Sequence, residues 1–455
     1  MCKQKRKLTS LAQKGNKIIL GGFLLILCLG VLPGLRALAQ APAGVDLRAQ
    51  AFDMVWRTVK EKHFDPTFGG VNWDAVRNKY EPQVAGVKTD SEFYALLRRM
   101  LGELHLSHFG IIPPAAQLDV ATKPDTAVEG DAGAELQLID KQALIVTVAP
   151  DSAAFKAGLR PGFVITQINQ TKLAEFLPQI DKRLAEGSLA KGLAQLYRNR
   201  SVNNLLAGAA GDKLKISYMD AQDRPAAAEI VLPARQGALT PAVGFMPPQR
   251  LSFTNKRLAN GVGYISFNIW LIPQMEKLRA AVREMKDAPG LIIDLRGNPG
   301  GIGGLAAGLA GMLTDKESSL GAMHLRTGRI AFAVFPQTGA YNGPLAVIID
   351  SGSASTSEIF AAGLQEMGRA VIVGEQSPGA ALPSTFVKLP TGATFQYAVA
   401  DFQTPQGVLI EGRGVTPDIS AKPTRAALLQ GVDAPLAAAL EYLQKQAKTG
   451  RAIVQ

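Results

Sequence analysis

LAVIIDSGSASTSEIFAAGLQEMGRAVIVGE, residues 345–375, reads as strand, turn, helix and strand. The short, β-branched run Leu345–Ile349 suits a buried strand. From Ser355 to Met367 the spacing is helical, with Ile359, Phe360, Leu364 and Met367 on one face and Gly368 where a helix C-cap glycine belongs. The next strand starts at Ala370. Ser351, Ser353, Ser355 and Ser357 alternate through the first turn. A serine in such a turn projects its hydroxyl beside the free N–H groups of a helix start, an arrangement that suits a nucleophile and an oxyanion. The same letters fit a capping box, Ser355-x-x-Glu358, in which the hydroxyl only satisfies a helix N–H. The turn alone does not separate the two uses.

Working outward, residues 244–423 keep an α/β pattern. Gly261–Phe267 and Leu291–Leu295 read as strands, and Gln274–Met285 as a helix with Met275, Leu278, Val282 and Met285 in register. Arg296-Gly-Asn-Pro-Gly-Gly-Ile-Gly-Gly304 then leads into a small-residue helix. A glycine-rich turn there can cradle a phosphate, but its spacing fits neither G-x-G-x-x-G nor G-x-x-x-x-G-K. Its other use is an oxyanion hole made of glycine N–H groups. Thr394–Gln403 reads as strand, and residues 424–447 as a closing helical segment with Asp433 as its N-cap.

Upstream, residues 44–115 read as a helical domain. It has three stripes: Ala49, Phe52, Val55, Trp56 and Val59; a helix from Trp73; and Phe93, Leu96, Leu97, Met100 and Leu101. The third helix runs into Glu103-Leu-His-Leu-Ser-His-Phe-Gly110. His105 and His108 are three apart and would share a face of a continuous helix, which raises a metal site; the other histidines, His63 and His324, are distant in sequence. A Ser-His pair entering a turn is equally a place to hold a catalytic base. Residues 130–236 read as a β-rich module with a helical insertion at 173–207, whose role the sequence does not give. Within it, Ala143–Val148, Asp151–Gly158 and Leu159–Asn169 resemble a PDZ domain, with Phe163 where such domains carry an acid. That resemblance implies peptide capture by strand addition, with Gly133, Ala134, Glu135 and Leu136 as the expected carboxylate loop.

Residues 1–39 read as a signal peptide: a basic start, an apolar run at 18–32 and Ala37-Leu38-Ala39 before Gln40. The chain has 49 Lys+Arg and 38 Asp+Glu, but seven of the basic residues lie in this leader, leaving about +4 beyond it. The basic charge belongs largely to the leader, so no nucleic-acid partner is expected, and membrane contact only if the leader is retained. Cys2 and Cys28 are the only cysteines, so an exported chain starting at Gln40 has neither disulfide nor thiol nucleophile. The expected location is the periplasm or the exterior.

The ordered set Ser107-His108, the PDZ-like module, Asp294-Leu-Arg-Gly-Asn-Pro-Gly-Gly301, Gly352–Phe360 and Glu411-Gly-Arg-Gly-Val-Thr-Pro-Asp418 resembles the tail-specific, or carboxyl-terminal processing, serine proteases, in the branch similar to the tricorn protease core. The resemblance implies an α/β multidomain fold with a crotonase/Clp-protease-like β-β-α core, an N-terminal helical domain and an inserted PDZ-like domain. It implies hydrolysis of protein or peptide substrates without a cofactor or metal. It implies Ser355 as nucleophile, the Thr356 N–H with that of Gly300 or Gly301 as oxyanion donors, and Ser107, His108 and Glu411 as the activating set. The lysine of the tail-specific branch would stand at Ala380 and is absent, and that branch's Asp falls at Glu366. A silent peptide or apolar-ligand binder on the same fold, and an esterase, are the competing readings. No G-x-S-x-G surrounds Ser355, which speaks against the esterase. Oligomeric state and physiological substrate are not written in the sequence.

Overall fold

The computed structural model describes residues 46–114, 128–186, 192–244 and 248–449; the signal peptide expected at 1–39 lies outside them. Asp46 caps α1 (Leu47–Lys62) by accepting from the N–H groups of Arg48 and Ala49 at 2.9 and 3.2 Å. Asn72 caps α2 (Trp73–Val84), and a complete Thr89/Glu92 capping box starts α3 (Asp90–Gly102). The three stripes converge on one core, where the Trp56 and Trp73 indoles each donate to the other's backbone carbonyl at 3.0 Å. Past Ser107 and His108 the chain enters β1 (Gly110–Ile112).

The module that follows is antiparallel. It comprises β2 (Ala134–Ile139), β3 (Gln142–Val148), α4 (Ala153–Lys156), β4 (Val164–Ile168), β5 (Thr171–Lys172), α5 (Leu173–Glu186), α6 (Leu193–Asn204), β6 (Lys213–Met219) and β7 (Pro225–Val231). The sheet order is β2-β3-β4-β6-β7, with β5 on β4. Phe163 stacks on Tyr218 at 5.3 Å between ring centroids, an apolar use for a position where an acid was the expected residue. The expected helical insertion is α5 and α6, and α6 lies along β2.

The rest of the chain builds a layered α/β core. Its elements are β8 (Phe253–Arg257), β9 (Gly263–Phe267), α7 (Ile272–Glu284), β10 (Leu291–Asp294), α8 (Gly304–Gly311), β11 (Ser318–Leu325), β12 (Arg329–Val334), β13 (Leu345–Ile349), α9 (Thr356–Glu366), β14 (Val371–Gly374), β15 (Ser384–Lys388), β16 (Thr394–Ala398), β17 (Ala400–Gln403), β18 (Ile419–Ser420), α10 (Arg425–Leu429) and α11 (Ala434–Thr449). The main sheet runs β18-β14-β13-β10-β9-β8, parallel except for β8 against β9. Both β10 and β13 are buried along their whole length, which explains their unbroken apolar runs. Alternation decides which layer each residue meets. Leu291, Ile293, Leu345, Val347 and Ile349 join the core with α7, α8 and α9, whereas Ile292, Ala346 and Ile348 meet Ala439 and Leu443 of α11. Arg296 fastens the start of α11 by bridging Asp294 at 2.6 Å and Asp433 at 2.9 Å.

The helical segment does not close on itself. β1 pairs antiparallel with β16, Gly110 opposite Gln396, and the α1–α3 core includes Leu389, Ala393 and Phe395 from the β15–β16 hairpin. The helices of the segment expected at 44–115 as an N-terminal helical domain thus share their core with that hairpin. Phe395 is fully buried in that shared core. Phe395→Ala is expected to cost about 3–5 kcal/mol of unfolding free energy, the usual range for a core aromatic, measured by denaturant unfolding.

Candidate active site

Ser355 sits at the β13–α9 turn with φ 56° and ψ −116°, a backbone that a non-glycine residue adopts only under strain. Its side chain is half-buried. The other three serines of the turn are fastened. Ser353 Oγ donates to the Leu295 carbonyl at 2.7 Å, and Ser357 Oγ donates to the Asn298 carbonyl at 3.0 Å while accepting from Trp270 Nε1 at 2.9 Å. Ser351 Oγ accepts from Asn199 Nδ2 at 3.2 Å. The expected capping partner Glu358 does accept from the Ser355 N–H, at 3.0 Å.

Glu358 does more than cap. It is fully buried, and its carboxylate also accepts from Ser377 Oγ at 2.6 Å and from the N–H groups of Gly379 and Ala380 at 2.7 and 2.8 Å. Burial pushes its carboxyl up to about 7 against the pull of these donors. It thereby ties the Ser355 turn to the loop after β14. The sequence reading gave Glu358 only a cap; an acid directly ahead of the apolar stretch Ile359–Leu364 was the available signal.

The glycine turn after β10 packs on Ser355. Gly300 has φ 96°, and a Cβ there would fall 2.7 Å from Ser355 Cβ and 2.9 Å from the Thr356 nitrogen. Its N–H already donates to Asn298 Oδ1 at 3.0 Å, so of the two glycines Gly301 remains as the uncommitted donor. Among the described residues, no acceptor is bonded to the N–H of Gly301 or Thr356. Thr356 Oγ1 donates to the Gly301 carbonyl at 3.0 Å and holds the two segments together.

The Ser-His pair lies beyond α3, which ends at Gly102. His105 and His108 both have positive φ, 54° and 58°, so no helix face carries the two, and His105 is exposed. Buried Ser107 donates its N–H to Glu411 Oε1 at 2.6 Å and its hydroxyl to Glu411 Oε2 at 2.8 Å. The same hydroxyl lies 2.7 Å from His108 Nδ1. A hydroxyl has one proton, so the Ser107 oxygen can only accept from the imidazole. Nδ1 therefore carries the proton, and Nε2 is left with its lone pair. Burial pushes the His108 imidazole down to about 4. Ser107 stands between the imidazole and Glu411, and desolvation dominates. Burial also pushes the Glu411 carboxyl up, opposed by bonds from the Ser107 and Ala381 N–H groups and the Ser107 hydroxyl.

One loop links both halves. The Ala380 N–H goes to Glu358, and the Ala381 N–H goes to Glu411 at 3.1 Å. Ala380, at the position of the expected lysine, is buried against Leu193, Leu196 and Ala354. Glu366 accepts from Thr404 Oγ1 at 2.6 Å and the Gln406 N–H at 2.9 Å, and so holds a turn. The expected carboxylate loop is not open as it stands. The Gly133 N–H donates to Asp131 at 2.8 Å and the Leu136 N–H to Asn203 at 2.9 Å, and the acid Glu135 lies between them, so Gly133, Ala134, Glu135 and Leu136 do not form a free nest for an anion.

A layered α/β chain with a strained serine at a helix start and a polarised imidazole has the build of a serine-type hydrolase. The comparisons make this specific. Residues 261–421 match peptidase family S41, and residues 46–102 match the tricorn protease C1 domain. The carboxyl-terminal-processing protease of Synechocystis sp. is 27% identical over 370 residues, 80% of this chain and 78% of that protein. The photosystem II D1 C-terminal processing protease superposes with a TM-score of 0.54 at 24% identity, covering 86% of this chain and 99% of that one. The tricorn protease superposes at 0.53 and 17% identity, covering 88% and 37%. The chain thus contains an S41-family, serine-type peptidase region at residues 261–421 and is similar to the carboxyl-terminal processing proteases. Among the described residues, no helix is long and apolar enough to cross a membrane.

Proposed function

We propose that this peptidase is an exported endopeptidase that uses Ser355 as nucleophile and His108 as base. The observation that carries the reading is the Ser107 hydroxyl between Glu411 and His108 Nδ1. It fixes the tautomer in which Nε2 accepts a proton. In the proposed cycle Ser355 Oγ adds to the scissile carbonyl and its proton passes to His108 Nε2. The N–H groups of Thr356 and Gly301 receive the oxyanion. The imidazolium then protonates the leaving amine, and Glu411 stabilises its charge through Ser107. Water repeats the sequence on the acyl-enzyme.

The leader composition at 1–39 supports export. The antiparallel β2–β7 sheet supports a PDZ-like reading of 130–236, and the β8–β9 pair followed by α7 suits a crotonase-like core. A fluorophosphonate probe is expected to label wild type at Ser355 and to leave Ser355→Ala unlabelled, as read by mass spectrometry of the adduct. Wild type should cleave peptide bonds, and Ser355→Ala should not. Absent labelling would favour the silent binder; ester hydrolysis with no peptide hydrolysis would favour the esterase.

A further inference from the structure

The proposed cycle leaves one buried histidine unused. His63 is 1% exposed and closes α1, its backbone N–H donating to the Val59 carbonyl at 3.0 Å. Its ring stacks on Phe64, with centroids 4.6 Å apart and planes at 19°, and on Phe109, at 5.6 Å and 12°. Phe68 tilts against it at 5.3 Å. Nδ1 lies 3.1 Å from the Asp65 backbone nitrogen and 2.8 Å from the Asp65 carbonyl oxygen. It accepts from the one or donates to the other, and either bond fixes the plane of the ring. Nε2 is buried and has no partner among the described residues. Burial pushes the imidazole down, Asp65 opposes this, and Arg326 adds to the downward push. At neutral pH the ring is therefore an uncharged plate. Arg326 is itself engaged at the end of α1, where it donates to the Lys60 and Glu61 carbonyls at 3.0 and 2.8 Å.

Core packing alone would be served by an apolar side chain, with no nitrogen left bare. What the histidine adds is orientation. Asp65 sets its plane, and that plane lies within 12° of Phe109, the residue that follows His108. The segment around His108 needs such support. His105 and His108 have φ 54° and 58°, conformations that persist only where the surroundings impose them. Before His108, Glu411 holds the Ser107 N–H and hydroxyl; after it, β16 holds Gly110–Ile112. Both sets of bonds act on neighbours of the strained turn. Phe109 is held through its ring, by the stack on His63.

We propose that His63 is a positioning residue for His108: its oriented ring, acting through Phe109, holds the strained turn so that the His108 imidazole keeps Nδ1 on Ser107. The effect on turnover rests on the Ser355–His108 reading above; the hold on the His108 ring does not.

The test compares His63→Leu, which fills the volume without a flat ring, with His63→Phe, which returns a ring to Phe109. The chain has four histidines, so nitrogen NMR of the full-length, histidine-labelled protein can follow each ring. In a Ser355→Ala background the parent is expected to show one protonated and one bare nitrogen on His108. His63→Leu should move both signals towards their tautomer-averaged positions, and His63→Phe should bring them most of the way back. With Ser355 present, His63→Leu is expected to lower kcat for a peptide substrate by about 10- to 100-fold, the scale of an ångström's misplacement, with KM nearly unchanged. His63→Phe should recover most of that loss. Unchanged His108 signals in folded His63→Leu, or a fall in kcat that folded His63→Phe does not recover, overturns the proposal. If the parent already carries the His108 proton on Nε2, or if Ser355 is never labelled by a fluorophosphonate, the relay reading fails. The shift of the His108 signals between parent and His63→Leu still decides whether His63 holds that ring.

Discussion

His108→Ala is expected to lower kcat/KM for a peptide substrate by roughly 10⁴- to 10⁶-fold, the scale seen when a serine hydrolase loses its base. The Ser355 hydroxyl is a poor nucleophile until its proton is taken. Burial holds the imidazole neutral, and Ser107 holds Nδ1 as the protonated nitrogen. In the proposed cycle alanine removes both the acceptor for the serine proton and the donor to the leaving amine. His105→Ala should keep near-normal rates, because His105 is exposed and beyond the relay. A lysine at position 380 should not rescue His108→Ala. The Ala380 side chain is buried against Leu193, Leu196 and Ala354, so a lysine there must either displace α6 or bury an unpaired ammonium. Single-turnover kinetics with purified variants reads all three. Near-normal hydrolysis by His108→Ala, with Ser355→Ala inactive, would remove His108 as the base.

The strand–turn–helix around Ser355 was legible because local letters decide it: a β-branched run, small turn residues, then a 3.6-residue stripe. β13 and α9 fall on the expected residues within a position or two. Ser107 and Glu411 could be named together only through family resemblance. They are 304 positions apart, and no spacing rule reports a bond of 2.6 Å between them. The roles of Glu358 and α6 were illegible for a related reason. A capping box and a buried carboxylate hub share the letters Ser-x-x-Glu, and only the loop at 377–380 tells them apart. Gln195, Asn199 and Asn203 form a polar stripe that reads as a solvated helix face until β2 is placed beside it. The double glycine at 300–301 left two candidates for the second oxyanion donor, and Asn298 engages the N–H of the first through a local turn.

Glu411→Gln is expected to lower kcat by about 10²- to 10⁴-fold and to change the acid limb of the pH profile. The carboxylate receives three donors: the Ser107 N–H on Oε1, and the Ser107 hydroxyl and the Ala381 N–H on Oε2. A glutamine has one oxygen and one NH₂ for these sites. With the NH₂ at the Oε2 site, it donates to Ser107 Oγ, and the Ser107 proton turns towards His108 Nδ1. The imidazole then carries its proton on Nε2 and cannot act as base. With the NH₂ at the Oε1 site, it opposes the Ser107 N–H at close range, and the segment holding His108 must shift. Either orientation disarms the relay while keeping nearly the same volume. Glu411→Asp keeps the charge and should lose less. In wild type, His108 must be neutral and Glu411 ionised. Burial lowers the first pKa to about 4 and raises the second, so Glu411, the later of the two to reach its active form as pH rises, sets the acid limb. The limb belongs to the coupled pair. In Glu411→Gln the carboxyl no longer titrates and imidazolium loses a stabilising charge. The residual limb should become a single-proton step displaced to lower pH. A limb unchanged in Glu411→Gln would show that Glu411 does not act on His108 through Ser107.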